Sequence, residues 1–248
     1  MGSRADEHLI EYRTLDSAAM RLLLIRHGQT PYNVIGALDT GRPGAGLTPL
    51  GHAQALALPG ALRDDPISAI YASVLVRTQL TAAPLAAARG LTAHIREGLE
   101  EIVAGDLELR SDKASITTYL ETVSGWIHGD LDALMPGGEN GHTFVARYDN
   151  AIANIAAAHA DDDTVVVISH GAAIRTWVAI RVGAVGSADE WLLPNTGMVV
   201  LDGDVTAGWS LTRWQDEPAG GLTPPDVAAH DVTGAPAGEA IAEIRGTG

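Results

Sequence analysis

The chain has 248 residues, of which 46% are hydrophobic and 19% are charged, so it is long enough to bury a sizeable core. Its net charge is −15, with one Lys, fifteen Arg and no basic run, which argues against nucleic acids and anionic membrane surfaces as partners. It contains no cysteine, which excludes disulfides and thiolate metal sites and leaves the redox compartment undetermined.

The ends of the chain differ in composition from the rest. Residues 1–19 contain no apolar run of signal-peptide length, and no later apolar run reaches the roughly 20 residues of a membrane span. We therefore expect a soluble protein, with the cytoplasm as the default location. Because Met20 directly precedes the first predicted strand, residues 1–19 are interpreted as an extension upstream of the natural start, or alternatively as a genuine N-terminal arm. Residues 20–215 are predicted to form one domain, and the Pro-, Gly-, Ala- and acid-rich residues 216–248 a flexible tail.

Three apolar segments, at 22–25, 67–72 and 164–168, lack polar alternation, which is typical of parallel strands covered by helices on both faces. Each is followed by helix-like sequence. After the first, Thr30 can cap a helix that begins with Pro31, and after the last, an Ala-rich helix is predicted over 171–182. This order predicts an α/β fold of three layers, α/β/α, around a mostly parallel central sheet.

Two further regions complete the predicted architecture. Residues 106–148 are predicted to be a small helical cap insertion over the site, with a helix around Tyr119 and Trp126 and a loop at 136–142. Residues 198–214 carry β-branched and Trp positions on both sides of a Gly-containing turn, which predicts a hairpin at one edge of the sheet. This hairpin and an Ala-rich helix at 151–160 suit a homodimer, or equally ordinary packing within one chain.

The first predicted strand ends in Arg26 and His27, and α/β proteins hold anionic ligands at such strand ends. A transferring phosphoryl group spreads negative charge over its oxygens, so a site without metal needs forked cations and a nucleophile. Arg is the suitable cation, because its planar guanidinium makes paired hydrogen bonds to phosphate oxygens and stays charged. Arg26, Arg77 and Arg175 are the candidates near strand ends, although a structural ion pair is the preferred interpretation of Arg175.

A neutral His can act as a nucleophile when one ring nitrogen keeps its lone pair and the other donates a hydrogen bond that fixes the tautomer. His27 stands where this chemistry needs it, and His170 also follows a buried strand. If the first and last of these strands are neighbours, the two imidazoles face one pocket. The other histidines show no metal-ligand spacing, so no metal and no cofactor are expected.

Four segments occur in a characteristic order: LLLIRHGQT at 22–30, ASVLVRTQLTAA at 72–83, LEEIVAGDLE at 99–108 and VVVISHGAAIRT at 165–176. The tripeptide RHG alone is a weak signal. Together, over roughly residues 21–213, the four segments resemble the histidine phosphatase superfamily, the phosphoglycerate-mutase-like proteins.

The resemblance implies a role for each matching residue. His27 would be phosphorylated, and Arg26 and Arg77 would hold the phosphoryl group together with the second histidine, His170. Where the family has Leu-x-Glu followed four residues later by Gly, this chain has Leu99, Glu101 and Gly105. The resemblance therefore implies Glu101, rather than its neighbour Glu100, as the proton donor. Asn33 matches a phosphate-contacting Asn, and Thr30 and Gly171 complete the candidate substrate-binding residues.

The predicted function is metal-independent hydrolysis of phosphomonoesters through a phosphohistidine, with a small phosphorylated metabolite as the partner. Sugar phosphates and phosphoglycerate derivatives are the leading substrate classes. Mutases of this family enclose their substrate under a cation-rich insertion, whereas 106–148 offers only Arg110, Lys113 and Arg147. Two alternatives stay open: a phosphoglycerate mutase, and a non-catalytic phosphate-ester-binding protein in which the unusual loop at 39–46 blocks the pocket.

Overall fold

The computed structural model describes residues 19–183, 192–223 and 233–234. The expectations for residues 1–18 and for most of the tail at 216–248 therefore lie outside the described residues. Within the described part, no helix is long and apolar enough to cross a membrane. The cytoplasmic location stays a prediction.

In the described part of the chain, six strands form a sheet at the centre of the fold. The strands are β1 (Met20–Arg26), β2 (Ile67–Ser73), β3 (Ala93–Arg96), β4 (Thr164–Ser169), β5 (Met198–Asp204) and β6 (Gly208–Gln215). Their order across the sheet is β3-β2-β4-β1-β5-β6. The first four strands in that order are mutually parallel, and β5 runs antiparallel to both of its neighbours. β1 and β4 are therefore neighbours, and their carboxyl ends lie side by side.

Among the residues that the structure describes, six α-helices flank the sheet: α1 (Pro31–Ile35), α2 (Pro49–Ala61), α3 (Val76–Arg89), α4 (Lys113–Ile127), α5 (Gly141–Ala156) and α6 (Gly171–Val182). Four of them begin at a polar cap whose side chain accepts a hydrogen bond from a first-turn backbone N–H: Thr30, Thr48, Asp112 and Asn140. α6 is buried on nearly every side, which agrees with its Ala-rich sequence.

The sheet is covered on both faces. Along β1, Leu22 and Leu24 belong to one core cluster with side chains of α4, α5 and α6, while Leu23 and Ile25 belong to a second with side chains of α2 and α3. Successive strand residues point to opposite faces, so this alternation requires a helical layer on each side. The predicted three-layer α/β/α fold with a mostly parallel sheet and a C-terminal edge hairpin is confirmed.

Some local expectations were wrong. The sequence did not predict β3, an edge strand with mostly exposed side chains. The predicted loop at 136–142 ends earlier, because Asn140 accepts a hydrogen bond from the N–H of Thr143 and so starts α5 at Gly141. That helix ends at Ala156, short of the predicted 160. The predicted cap residues form α4 and the start of α5, and their apolar side chains belong to the larger core cluster.

Candidate active site

Two parallel strands bring two histidines together at the edge of the sheet. Arg26 pairs in register with Ser169, and the backbone N–H of His27 donates to the carbonyl of Ser169 at 3.0 Å. His27 and His170 thus follow matched positions of β1 and β4. Their ring centroids are 5.3 Å apart, with the planes at 60°. The predicted proximity of the two imidazoles is therefore present.

The tautomer of His27 is fixed by its own loop. Nδ1 lies 2.8 Å from the carbonyl oxygen of Gly28, to which it donates, and this leaves the lone pair on Nε2. The side chain is 2% exposed. Burial lowers the pKa of His27 well below its ordinary value, and the positive charges of Arg77 and Arg26 lower it further. The ring is therefore neutral near pH 7.

His170 is held from the neighbouring strand β2. Its Nε2 makes a 2.9 Å hydrogen bond with Oγ of Ser73, the last residue of that strand. Its Nδ1 is buried and has no hydrogen-bond partner among the described residues. Burial, followed by the positive charge of Arg77, lowers the pKa of His170 well below its ordinary value. A buried polar atom without a partner is costly, so this nitrogen suits a ligand atom.

Two buried arginines stand beside the histidines. Arg26 donates from Nη1 to the carbonyl of Leu193 at 3.0 Å and from Nη2 to Oγ1 of Thr233 at 2.9 Å. Arg77, in the first turn of α3, donates from Nη2 to the carbonyl of Asp39 at 2.9 Å. The Asp39 carboxylate also lies 3.4 Å from its Nη1. Both guanidinium groups are thus oriented by contacts from other parts of the chain.

Glu101 lies at the N-terminus of α6. Oε1 accepts hydrogen bonds from the N–H groups of Ile102 and Ala173, at 2.9 and 2.8 Å, and Oε2 accepts one from Ala172 at 3.2 Å. The side chain is almost fully buried. Burial raises the pKa of Glu101, although the hydrogen bonds and the charge of Arg77 oppose the shift because they favour the carboxylate. A raised pKa favours the protonated carboxyl group, which is the form that a general acid needs.

The three candidate substrate-binding residues occupy different settings. Thr30 and Asn33 form a capping box: the Asn33 side-chain oxygen accepts from the Thr30 N–H at 2.9 Å, and Thr30 Oγ1 accepts from the Asn33 N–H at 3.2 Å. Gly171 is the first residue of α6, and a Cβ there would lie 2.8 Å from Nε of Arg26. Gly171 thus lies directly against the centre, while Thr30 and Asn33 shape the loop after His27.

The structure adds residues that sequence reasoning missed. Ser73 was not among the predicted site residues, yet its Oγ forms a hydrogen bond with Nε2 of His170. Asn195 donates to the carbonyl of His27 at 3.0 Å. Glu108 accepts from the N–H groups of Thr40 and Gly41 and so holds the 39–46 loop. The final Glu of the LEEIVAGDLE segment was a usable signal for Glu108; nothing near Asn195 in the sequence marked its role.

Residues 22–217 match the model of the histidine phosphatase superfamily (branch 1). The chain belongs to the histidine phosphatase superfamily. A histidine phosphatase relative, the adenosylcobalamin/alpha-ribazole phosphatase of Salmonella typhimurium, is 30% identical over 172 residues, which cover 69% of this chain and 84% of that protein. The PE-PGRS family protein PE_PGRS11 of Mycobacterium tuberculosis is 35% identical over 224 residues, which cover 84% of this chain. The match spans only 38% of the length of that relative.

Solved histidine phosphatase structures share the fold. A mycobacterial glucosyl-3-phosphoglycerate phosphatase superposes with a TM-score of 0.65 at 28% identity, covering 79% of this chain and 99% of that one. The family predicted from the four sequence segments is confirmed, and its matching relatives include phosphatases and a probable phosphoglycerate mutase.

Proposed function

We propose that the protein is a metal-independent phosphomonoesterase that acts on small phosphorylated metabolites through a phosphohistidine intermediate. The observation that carries the proposal is the buried centre itself. A neutral His27 with its lone pair on Nε2 lies 5.3 Å, ring to ring, from His170. Arg26, Arg77 and the buried Glu101 complete the set.

In the first half of the proposed reaction, Nε2 of His27 attacks phosphorus in line with the ester oxygen. The N–P bond forms as the P–O bond to the alcohol breaks, and Glu101 gives its proton to the departing alkoxide. In the second half, Glu101 takes a proton from water, whose oxygen attacks phosphorus. The N–P bond breaks, inorganic phosphate leaves, and His27 and protonated Glu101 are restored.

The charged and polar neighbours stabilise the transferring group. Arg26 and Arg77 supply guanidinium N–H groups, which match phosphate oxygens in geometry and charge. His170 supplies the buried Nδ1 that has no partner among the described residues. In this proposal Gly171 lends the backbone N–H at the start of α6, where the helix dipole also favours an anion. Thr30 and Asn33 then position the loop that carries His27.

The phosphoglycerate mutase alternative requires further cations that retain a phosphoglycerate in the site, so that it accepts the phosphoryl group in place of water. Arg110 is exposed and pairs with Asp112 at 2.8 Å. Arg147 is engaged by Glu139 at 2.7 Å. Arg110 and Arg147 are two of the three cations of the cap region, and both already have carboxylate partners. The cap region therefore favours water as the acceptor and supports hydrolysis.

One observation favours the alternative of a non-catalytic binding protein. The loop at 39–46 meets the centre through Asp39, whose carbonyl and carboxylate both contact Arg77. A phosphate ester would have to compete with these contacts for the same guanidinium. Slow turnover with measurable phosphate binding would favour this alternative.

The decisive experiment measures phosphate release from sugar phosphates, phosphoglycerates and p-nitrophenyl phosphate in the presence of EDTA. His27→Ala should abolish release, whereas His52→Ala, the same change at an exposed position of α2, should not. Acid-labile radiolabel on the wild type, absent from His27→Ala, would identify the phosphohistidine. Conversion of 3-phosphoglycerate to 2-phosphoglycerate without phosphate release would overturn the proposal.

A further inference from the structure

A pocket of about 520 Å³ adjoins the proposed catalytic centre. Two of its lining residues are direct chain neighbours of Glu101 and Asp39, at the edge of that centre. Glu100 lines the pocket and precedes Glu101, while Thr40 lines it and follows Asp39, the residue that contacts Arg77. The lining residues are Thr40, Gly41, Arg42, Glu97, Gly98, Glu100, Val103, Glu139, Arg147 and Asn150. This position suits the alcohol part of an ester whose phosphoryl group faces His27.

Arg147 has no N–H left for a ligand. Nε and Nη2 donate to the two carboxylate oxygens of Glu139, at 2.9 and 2.7 Å. Nη1 donates to the carbonyls of Gly98 and Glu100, at 3.0 and 2.9 Å, and Nη2 also donates to the carbonyl of Glu101 at 2.9 Å. A guanidinium has five N–H donors, and all five are used. Arg147 therefore builds the wall and does not offer a cation to substrate.

Arg42, the other cation of the lining, lies between two carboxylates. Nη1 donates to Glu97 at 3.1 Å, and Nη2 donates to Oε1 of Glu100. Together with Glu139, the lining therefore contains two Arg and three Glu residues, and their formal charges sum to −1. A second anionic group on the substrate would enter a pocket whose cations are already neutralised, so the pocket disfavours it.

Glu100 also presents an acceptor that needs a donor. The residue is only 9% exposed, and its Oε2 is buried with no hydrogen-bond partner among the described residues. A buried carboxylate oxygen without a donor is destabilising, because it has lost its hydrogen bonds to water. A substrate hydroxyl that donates to Oε2 would remove this cost.

We infer that the pocket selects esters whose alcohol part is uncharged and rich in hydroxyl groups, and that it rejects esters bearing a second anionic group. The inference rests on the proposed phosphatase function and narrows its substrate classes, from sugar phosphates and phosphoglycerate derivatives to polyol and sugar phosphates. Glu100 is the residue that determines this specificity, as the acceptor for a substrate hydroxyl.

The test uses two esters of the same carbon skeleton, glycerol 3-phosphate and 3-phosphoglycerate. The first carries a hydroxymethyl group where the second carries a carboxylate. We expect kcat/KM of the protein to favour glycerol 3-phosphate by about tenfold or more, the discrimination of roughly one buried charged contact. Glu100→Gln keeps the size of the side chain and raises the lining charge to zero. It should reduce this ratio about fivefold or more, while Glu121→Gln, the same change on the exposed side of α4, should leave the ratio unchanged.

The outcomes separate the two claims. If phosphate is released but 3-phosphoglycerate is the better substrate, or Glu100→Gln leaves the ratio unchanged, the inference is overturned and the phosphatase function stands. If neither ester nor p-nitrophenyl phosphate is hydrolysed, the phosphatase function fails. Calorimetric binding of both esters to His27→Ala then decides the inference: tighter binding of glycerol 3-phosphate supports it, and equal or reversed affinities overturn it.

Discussion

At the scale of single residues, burial shifts the pKa values of His27 and Glu101 in opposite directions. The pKa of His27 lies well below 6.5, and that of Glu101 lies above 4.5. The proposed first step needs a neutral His27 and a protonated Glu101. Activity is therefore lost as the pH falls through the pKa of His27 and as it rises through that of Glu101.

We accordingly expect a bell-shaped dependence of kcat/KM on pH, with its acid limb below pH 6.5 and its alkaline limb above pH 4.5. Initial rates between about pH 4 and 9 measure both limbs. The profile is measured with two esters whose phosphate groups have different pKa values. A limb that shifts between the esters reports ionisation of the substrate, and a limb that stays in place reports ionisation of the protein. An acid limb at or above pH 6.5 for both esters would contradict a neutral nucleophile stabilised by burial.

Glu101→Gln keeps the size of the side chain and removes the group used twice in the proposed reaction. The leaving group of p-nitrophenyl phosphate departs without protonation, so the first step proceeds while hydrolysis of the phosphohistidine is slowed. We expect a burst of about one p-nitrophenol per protein, then a steady rate about 10²- to 10⁴-fold below wild type. Rapid-quench kinetics measures both phases, and thermal unfolding checks that the variant is folded. A wild-type rate without a burst would show that Glu101 is not the acid and base.

The sequence was informative for residues that belong to a local pattern. Arg26, His27 and His170 were recognisable because each ends or directly follows an apolar strand, and Glu101 because of its spacing from Leu99 and Gly105. The hydrogen bond between His170 and Ser73 spans 97 positions, and that between Asn195 and His27 spans 168. Such pairs depend on which strands become neighbours, and the order of strands in a sheet is not written in any local pattern.

At the scale of elements, the loop after β1 packs directly on the first turn of α2. The carbonyl of Gln29 accepts from the Thr48 N–H at 2.9 Å, and a Cβ on Gly51 would lie 2.1 Å from that same carbonyl oxygen. Gly28 is also close, since a Cβ there would lie 2.6 Å from the carbonyl oxygen of Gly51. Backbone cannot yield as a flexible side chain does, so a methyl group at Gly51 must push the loop that carries His27.

We therefore expect Gly51→Ala to destabilise the protein by about 1–3 kcal/mol and to lower kcat as well. Gly60→Ala is the matched control in the same helix, because a Cβ there meets no atom within 4 Å. It should be neutral or stabilise the fold by about 0.5–1 kcal/mol, since Ala is the better helix former. Denaturant unfolding and steady-state rates compare the two variants. Equal stability of both would show that the loop adapts to the added methyl group.

The elements themselves differed in how well the sequence predicted them. β1, β2 and β4 were recognisable because strands buried on both faces are continuous apolar runs. β3 has only four residues and mostly exposed side chains, so it leaves no such run. The start of α5 was obscured by the Gly-rich residues before it, although Asn140 is an ordinary N-cap residue.

At the scale of the whole molecule, the centre draws on residues from across the described chain. Thr233 and Gly234 reach it from near the C-terminus: Leu193 donates its N–H to the carbonyl of Gly234 at 3.0 Å, and Thr233 Oγ1 accepts from Arg26. A Cβ on Gly171 would lie 2.3 Å from the carbonyl oxygen of Thr233. A phosphoryl group that binds both Arg26 and the start of α6 must therefore compete with Thr233.

Thr233→Val tests this competition, because it keeps the shape of the side chain and removes the acceptor for Nη2 of Arg26. A hydrogen bond to a charged group is worth roughly 1.5–3 kcal/mol, and part of that becomes available to an incoming phosphate oxygen. We expect the inhibition constant of inorganic phosphate against p-nitrophenyl phosphate hydrolysis to fall about three- to tenfold. Thr206→Val, in the exposed turn between β5 and β6, should leave it unchanged. A rise in the inhibition constant of Thr233→Val would instead mean that Thr233 helps to hold the phosphate.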